Sequence, residues 1–210
     1  MEQRSLNEAL IDRLLLLYLI TRTNHKGYSI LGPIKLQKLL YKVEEMMWKK
    51  KHKGLNYTFI RWKHGPFSQE VYSDVEDLKN TGFLCPSLAS IPSEEGEKLA
   101  RIAEHYLDGE TREIFERVIN EFGPLHGKQL KAIMYSYPIV DQKRTIREAK
   151  EGELLLTKLT EEQARGHIRV SERFLETLSV LFNPSAYESI KKGLEAMKTE
   201  EPKKFIPVRN

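Results

Sequence analysis

GPIKLQKLLYKVEEMMWKKKHKGLNYTFIRWKHGPFSQEVYSDVEDLKNTGFL, residues 32–84, reads as an amphipathic helix, a short strand, a tight turn and a second capped helix. Pro33 suits the first position of the opening helix, where its missing N–H costs nothing. From Pro33 to about Lys51, the residues Leu36, Leu40, Val43 and Met47 recur at steps of 4, 3 and 4 and share one face. Lys35, Lys38, Lys42 and Lys49 step 3, 4 and 7 along nearly the opposite side. The spacing predicts an apolar core face and a solvent-facing basic ridge, which Lys50, Lys51 and Lys53 prolong. Tyr57 to Trp62 alternates and is rich in aromatic and β-branched residues, as a strand would be. His64-Gly65-Pro66 turns the chain, and Ser68 is placed to cap the next helix. Val71, Val75 and Leu78 form the buried stripe of that helix, with Tyr72 beside them, and Gly82 stops it.

Upstream, Ser5 to Thr23 predicts a first helix. Leu6, Leu10, Leu14, Leu17 and Thr21 fall at helical spacing, with Asp12 and Arg13 on the other side. Downstream, Phe83 to Ile91 offers one or two short strands broken by Pro86, in the manner of a wing. Ser93 opens a helix to about Leu107, and Thr111 to Phe122 forms another. Gly123-Pro124 breaks the pattern before a short helix at Lys128 to Tyr135. Arg144 to Glu151 reads as a short helix or a loop, and Gly152 to Lys158 as a weak boundary.

The tail begins with capping-box spacing at Thr160-x-x-Gln163. A helix from Ser171 to Phe182 follows, with Phe174, Leu178 and Leu181 on one face and Leu175 next to them. Asn183-Pro184 marks a stop and restart. Tyr187, Ile190, Leu194 and Met197 then step 3, 4 and 3. Glu200 to Asn210 is charged, carries two prolines and is expected to hang free. The expected fold is mainly α: a helical domain with a small two- or three-stranded β element, winged-helix-like, and a C-terminal helical appendage. The expected division is 1–157 and 158–210.

The 210 residues hold 34 Lys or Arg against 30 Asp or Glu, a net charge of +4 that permits an acidic partner without demanding one. Cys85 is the single cysteine, which excludes an internal disulfide and a cysteine-based zinc site and fits a reducing cytoplasm. The apolar run Leu14–Ile20 is seven residues long, too short for a membrane span or a convincing signal peptide.

Reactive constellations are scarce. The six histidines are scattered, and none forms H-x-x-x-H, so neither a metal nor a cofactor is expected. Gly123-Pro124-Leu125-His126-Gly127-Lys128 has one residue too few between its glycines for a phosphate loop, and Gln129 stands where Ser or Thr would bind magnesium. It reads as a helix-to-helix turn. Cys85 lies in an apolar setting unsuited to a nucleophile, and His64 reads as a residue of its turn. The densest charge runs from Pro33 to His64, nine Lys or Arg against two Glu, a local excess of seven. Lys35, Lys38, Lys42, Lys49, Lys50, Lys51 and Lys53 are therefore the candidate contacts to nucleic acid or an acidic protein. Trp48, Tyr57, Trp62 and Phe67 are interleaved among these charges.

Lys35-Leu36-Gln37-Lys38-Leu39-Leu40-Tyr41, then Phe59-x-x-Trp62, then His64-Gly65-Pro66 and Glu70-Val71-Tyr72, resemble the signature of the Panacea domain, the SocA-like antitoxin family. Its motif positions here are Leu36, Leu39, Tyr41, Trp62, His64, Gly65, Pro66, Val71 and Tyr72, with His64 in place of a usual tyrosine. The segment Glu116–Ile146 fits more loosely, and the resemblance extends over about residues 5 to 155. It implies a mostly helical, non-enzymatic domain that neutralises a protein toxin encoded nearby; members are also called phage-associated proteins. The tail adds a second resemblance. Phe174-Leu175-Glu176-Thr177-Leu178, Asn183-Pro184 and Ile190-x-x-Gly193-Leu194-Glu195 are similar to the toxin-binding tails of prevent-host-death-type antitoxins.

The function expected is that of an antitoxin acting by stoichiometric binding in the cytoplasm. Phe174, Leu175, Leu178, Leu181, Tyr187, Ile190 and Leu194 would fill an apolar groove on the toxin. The tail would pack poorly without that partner. The alternative expected is a winged-helix-like DNA-binding regulator whose basic ridge tracks phosphates. A homodimer is compatible with either; a membrane is not among the expected partners.

Overall fold

The computed structural model describes residues 3–87 and 89–199. The expected free end Glu200–Asn210 lies outside the described residues. In chain order the elements are α1 (Leu6–His25), α2 (Pro33–Lys50), β1 (His52–Lys53), β2 (Phe59–Trp62), β3 (Gly65–Phe67), α3 (Gln69–Asn80) and α4 (Glu94–Glu104). They continue with α5 (Gly109–Phe122), α6 (Gly127–Ser136), β4 (Leu154–Leu156), β5 (Gly166–His167), α7 (Glu172–Leu181) and α8 (Pro184–Thr199). The class is mainly α with a small β element, as the periodicity predicts.

Helix α1 is the axis of the molecule. Ser5 caps it through a capping box: the Glu8 N–H donates to Ser5 Oγ at 3.1 Å and the Ser5 N–H to Glu8 Oε2 at 2.8 Å. Every residue from Leu14 to Thr21 is buried, because α3, α4, α5 and α7 surround the helix. The expected one-sided stripe does not hold: Leu6 is exposed, whereas Asp12, assigned to the outer side, is fully buried. A helix apolar all round in its middle belongs at a core centre, and Leu14–Ile20 is that middle. Helix α4 packs on α1, and at its start a Cβ on Gly96 would collide with the carbonyl oxygen of Phe83 in the loop that follows α3.

The β element is a three-stranded antiparallel sheet in the order β3-β2-β4. The β2–β3 hairpin turns through Lys63 and His64, pairing Trp62 with Gly65 and Ile60 with Phe67. Gly65 holds φ +95°, a backbone conformation that a side chain would strain. The third strand does not come from Phe83–Ile91. That segment makes isolated bridges, Leu31 with Ala89 and Leu84 with Pro92, and no named strand among the described residues. The expected wing is thus a loop folded onto α2's entry. Its place in the sheet is taken by β4, from the stretch read as a weak boundary.

Residues 158–182 are tied to the body. β5 pairs in parallel with β1, Lys158 Nζ lies 2.6 Å from Glu8 Oε2, and Ile168, Leu178 and Phe182 join the common core. The Thr160–Gln163 box makes both of its bonds, at 3.1 and 3.4 Å, but closes a single turn with no helix behind it. Arg144–Glu151 is a run of turns.

Candidate functional site

The K-L-Q-K-L-L-Y stretch of α2 turns its polar side chains inward. Lys35, Gln37, Lys38 and Lys42 are all buried. Lys35 Nζ donates to the Ser29 carbonyl at 2.9 Å and the Gly123 carbonyl at 2.5 Å. Gln37 grips Ser68 from both sides: its Nε2 donates to the Ser68 carbonyl at 2.8 Å, and its Oε1 accepts the Ser68 N–H at 2.9 Å. Lys38 Nζ donates to the Pro66 carbonyl at 2.9 Å. Burial depresses the Lys38 amine to about 7, with the Lys131 charge adding to the effect, and burial also lowers Lys35 and Lys42. Lys42 is paired with the buried Glu45 and stands 3.7 Å over the Tyr137 ring.

The expected ridge is therefore corrected. Lys35 and Lys38 do not face solvent, because neighbouring segments bring backbone carbonyls to them, and Lys42 is covered between Glu45 of α2 itself and the Tyr137 ring. Charge reaches the surface at the end of α2, where Lys49 and Lys50 are 53% and 39% exposed, whereas the Lys53 side chain is 10% exposed. Lys49 bonds Glu45 at 2.6 Å, Lys50 pairs with Glu110 at 3.0 Å, and Lys51 lies 3.6 Å over the Trp48 ring. Lys53 pairs with Glu8 at 2.7 Å and Glu161 at 3.3 Å. With the ridge divided and the wing replaced by a loop, no observation supports the DNA-binding alternative.

What these pins position is the outer edge of the β2–β3 hairpin and the start of α3. Trp62, Phe67 and Tyr72 form an aromatic row, with centroids 6.1 Å and 5.6 Å apart. Trp62 is 40% exposed and Tyr72 39%. The row borders a hollow of about 220 Å³ lined by Ile34, Gln37, Lys38, Trp62, Lys63, His64, Gly65, Phe67 and Tyr72. On the far side of Tyr72 lies a second hollow, about 240 Å³, between α2's first turn and α3. The motif residues Leu36, Leu39, Tyr41 and Val71 sit beneath, all buried, with Tyr41 packed edge-on to Phe59 at 5.4 Å. The signature thus divides into a hidden scaffold and an exposed aromatic edge. The 62–67–72 spacing about a Gly-Pro turn marks that edge in the sequence, but only the fold shows which aromatics face out.

The tail residues have two fates. In α7, Leu178 is buried, and Phe174, Leu175 and Leu181 are half-buried against the core. Phe174 stacks on Tyr106 with centroids 4.7 Å apart, and Phe182 meets Phe83 edge-on at 5.6 Å. The expectation of a poorly packed tail therefore fails for α7, which covers one side of α1. Asn183 caps α8 as expected, with Oδ1 accepting the Ser185 and Ala186 N–H groups, each at 3.1 Å. Tyr187 still packs on Phe83, at 5.5 Å. Beyond it the stripe runs into solvent, with Ile190 49%, Leu194 55% and Met197 76% exposed.

Sequence patterns did not single out the polar cluster that fastens the N-terminus. Buried Asp74 accepts from Arg4 Nη1 at 2.7 Å, Arg13 Nε at 3.0 Å and Tyr57 OH at 2.9 Å. Buried Asp12 accepts from Arg4 Nη1 at 2.9 Å and the Asn56 N–H at 2.9 Å, and burial pushes its carboxyl up to about 7. Four parts of the chain meet there through fixed pairings: the N-terminal segment, α1, the β1–β2 loop and α3.

The remaining candidates are dispersed. His52 is buried with Thr111 Oγ1 at 2.9 Å, while His25, His64, His105, His126 and His167 are exposed at separate places. No group of three or more His, Cys, Asp or Glu is placed to hold a metal ion among the described residues. Cys85 is a free, half-buried thiol whose Sγ lies 3.8 Å from the Pro92 carbonyl. Gly123–Gly127 is the turn into α6, where the His126 N–H donates to Gln129 Oε1 at 3.0 Å. Among the described residues no helix is long and apolar enough to cross a membrane.

Residues 36–138 match the family model described as antitoxin SocA-like, Panacea domain. The match covers the α2 signature, the hairpin and the helices through α6, and is shorter than the span of about 5–155 read from the motifs. No curated protein and no solved structure matches the chain.

Proposed function

This chain carries the Panacea domain of the SocA-like antitoxins over residues 36–138, and on that premise we propose that it neutralises a protein toxin by stoichiometric binding. The observation that carries the reading is the apolar stripe of α8. It begins on the core at Tyr187 and continues past it through Ile190, Leu194 and Met197. A helix presenting anchors at these intervals suits a groove on another protein. In this reading α7 sets the direction of α8, and the exposed half of α8 enters the toxin. The mechanism is occupancy: the toxin is held, and no bond is made or broken.

The test is co-expression with the product of the adjacent gene in a sensitive host. Growth is restored when the two are made in equal amounts, and a complex of fixed stoichiometry elutes on light-scattering chromatography. Rescue by a small fraction of the chain relative to that product, or rescue without any complex, would count against the reading.

A further inference from the structure

Two features meet beside the hairpin. The first is the aromatic row Trp62–Phe67–Tyr72, held rigidly because Gln37 and Lys38 pin the backbone on either side of Phe67. The second is the charge at its border. Lys63 and His64 line the hollow beside the row, and Lys131 Nζ lies 3.4 Å from His64 Nδ1. Buried Lys38 forms part of the floor, and no carboxylate lines this hollow. A rigid aromatic platform gives contact area at small conformational cost, and an unbalanced cationic rim selects the charge of what lies on it.

We infer that this groove takes a short acidic–apolar segment of the protein partner, with an aliphatic or aromatic side chain against Trp62 and Tyr72 and a carboxylate beside Lys63, His64 and Lys131. The inference rests on the antitoxin reading above and adds a second contact remote from α8. The segment is foreign to this chain. Its own residues 200–210, EEPKKFIPVRN, hold three Lys or Arg against two Glu and so carry a net charge of the same sign as the rim. A hollow of about 220 Å³ admits one such side chain, and the second hollow beyond Tyr72 admits the next. Attraction at an exposed rim of this kind weakens as salt rises.

The test uses the full chain and the purified product of the adjacent gene, titrated calorimetrically at low and high salt. Trp62→Ala and Tyr72→Ala are each expected to weaken binding about tenfold or more. Lys63→Glu combined with Lys131→Glu is expected to weaken it about tenfold and to flatten its salt dependence. Lys63 is exposed and Lys131 partly so, and the double variant should keep the unfolding midpoint of the parent, which separates lost contact from lost fold. Overlapping peptides from the partner should bind where an apolar residue adjoins Asp or Glu. Unchanged affinity in all three variants overturns the groove and leaves the antitoxin reading standing. Absence of any complex, both with the parent chain and with the chain lacking residues 200–210, overturns both. Binding that appears only after residues 200–210 are removed also overturns it, by making this chain's own end the occupant.

Discussion

Helices α2 and α8 invert each other. Helix α2 carries a lysine stripe that spacing assigns to solvent, and three of its lysines are buried. Helix α8 carries an apolar stripe, of the kind a core takes up, which the sequence reading assigns to a partner's groove, and Ile190, Leu194 and Met197 on it are 49%, 55% and 76% exposed. Periodicity identifies which side chains share a face. It does not say what the fold brings to that face. Helix α2 meets the carbonyls of Ser29, Gly123 and, in β3, Pro66, which long flexible amines can reach, whereas α8 leaves the body after one turn. A buried lysine can therefore be a backbone clamp and an exposed leucine a contact in waiting.

The comparison is broken most severely at Gln37. Gln37→Ala removes both bonds to Ser68 and leaves a buried N–H and a buried carbonyl without partners. A loss of about 2–4 kcal/mol is expected in denaturant unfolding. A loss under about 0.5 kcal/mol would show that the polar face of α2 is incidental.

Lys38 sharpens it through pH. The amine titrates near 7 in the folded chain and near its ordinary 10.5 when unfolded, so the unfolded chain binds the extra proton between these values. Stability from this group rises as pH climbs from about 7 to 10.5, by at most about 1.4 kcal/mol per pH unit. The difference in unfolding free energy between the parent and Lys38→Met should follow that rise. A difference that stays flat would place the Lys38 amine in water.

At α8 the expected effect is on association. Ile190→Asp with Leu194→Asp should leave the unfolding midpoint unchanged and weaken toxin binding about tenfold or more. A variant that unfolds early would mean that the stripe is covered within the chain. The smallest effect belongs to the exposed end of α2. Lys50→Ala is expected to change stability by no more than about 0.5 kcal/mol, since its pair with Glu110 is open to solvent.

The elements were largely legible. Pro33, Ser93 and Asn183-Pro184 mark boundaries that the fold keeps, because caps and prolines act locally. The third strand was not. Leu154–Leu156 is too short for alternation to register, and it becomes a strand only because β2 offers a free edge. The central place of α1 was half visible, in the seven apolar residues Leu14–Ile20, but Asp12 disguised it. A buried aspartate is tolerable only with partners such as Arg4 and Asn56, and these come from distant positions. For the candidate site, Trp62 and Tyr72 stood out as motif residues. Their exposure depends on Gln37 and Lys38 fixing the hairpin from below, which residue spacing cannot express.

The segment matched to the family starts after α1 and ends before β4. Yet α1 is the rod around which four other helices gather, and β4 completes the sheet behind the aromatic edge. Excised on its own, 36–138 would present to water the faces that α1 now covers. The matched span therefore depends for its cover on α1 and β4, which lie outside it.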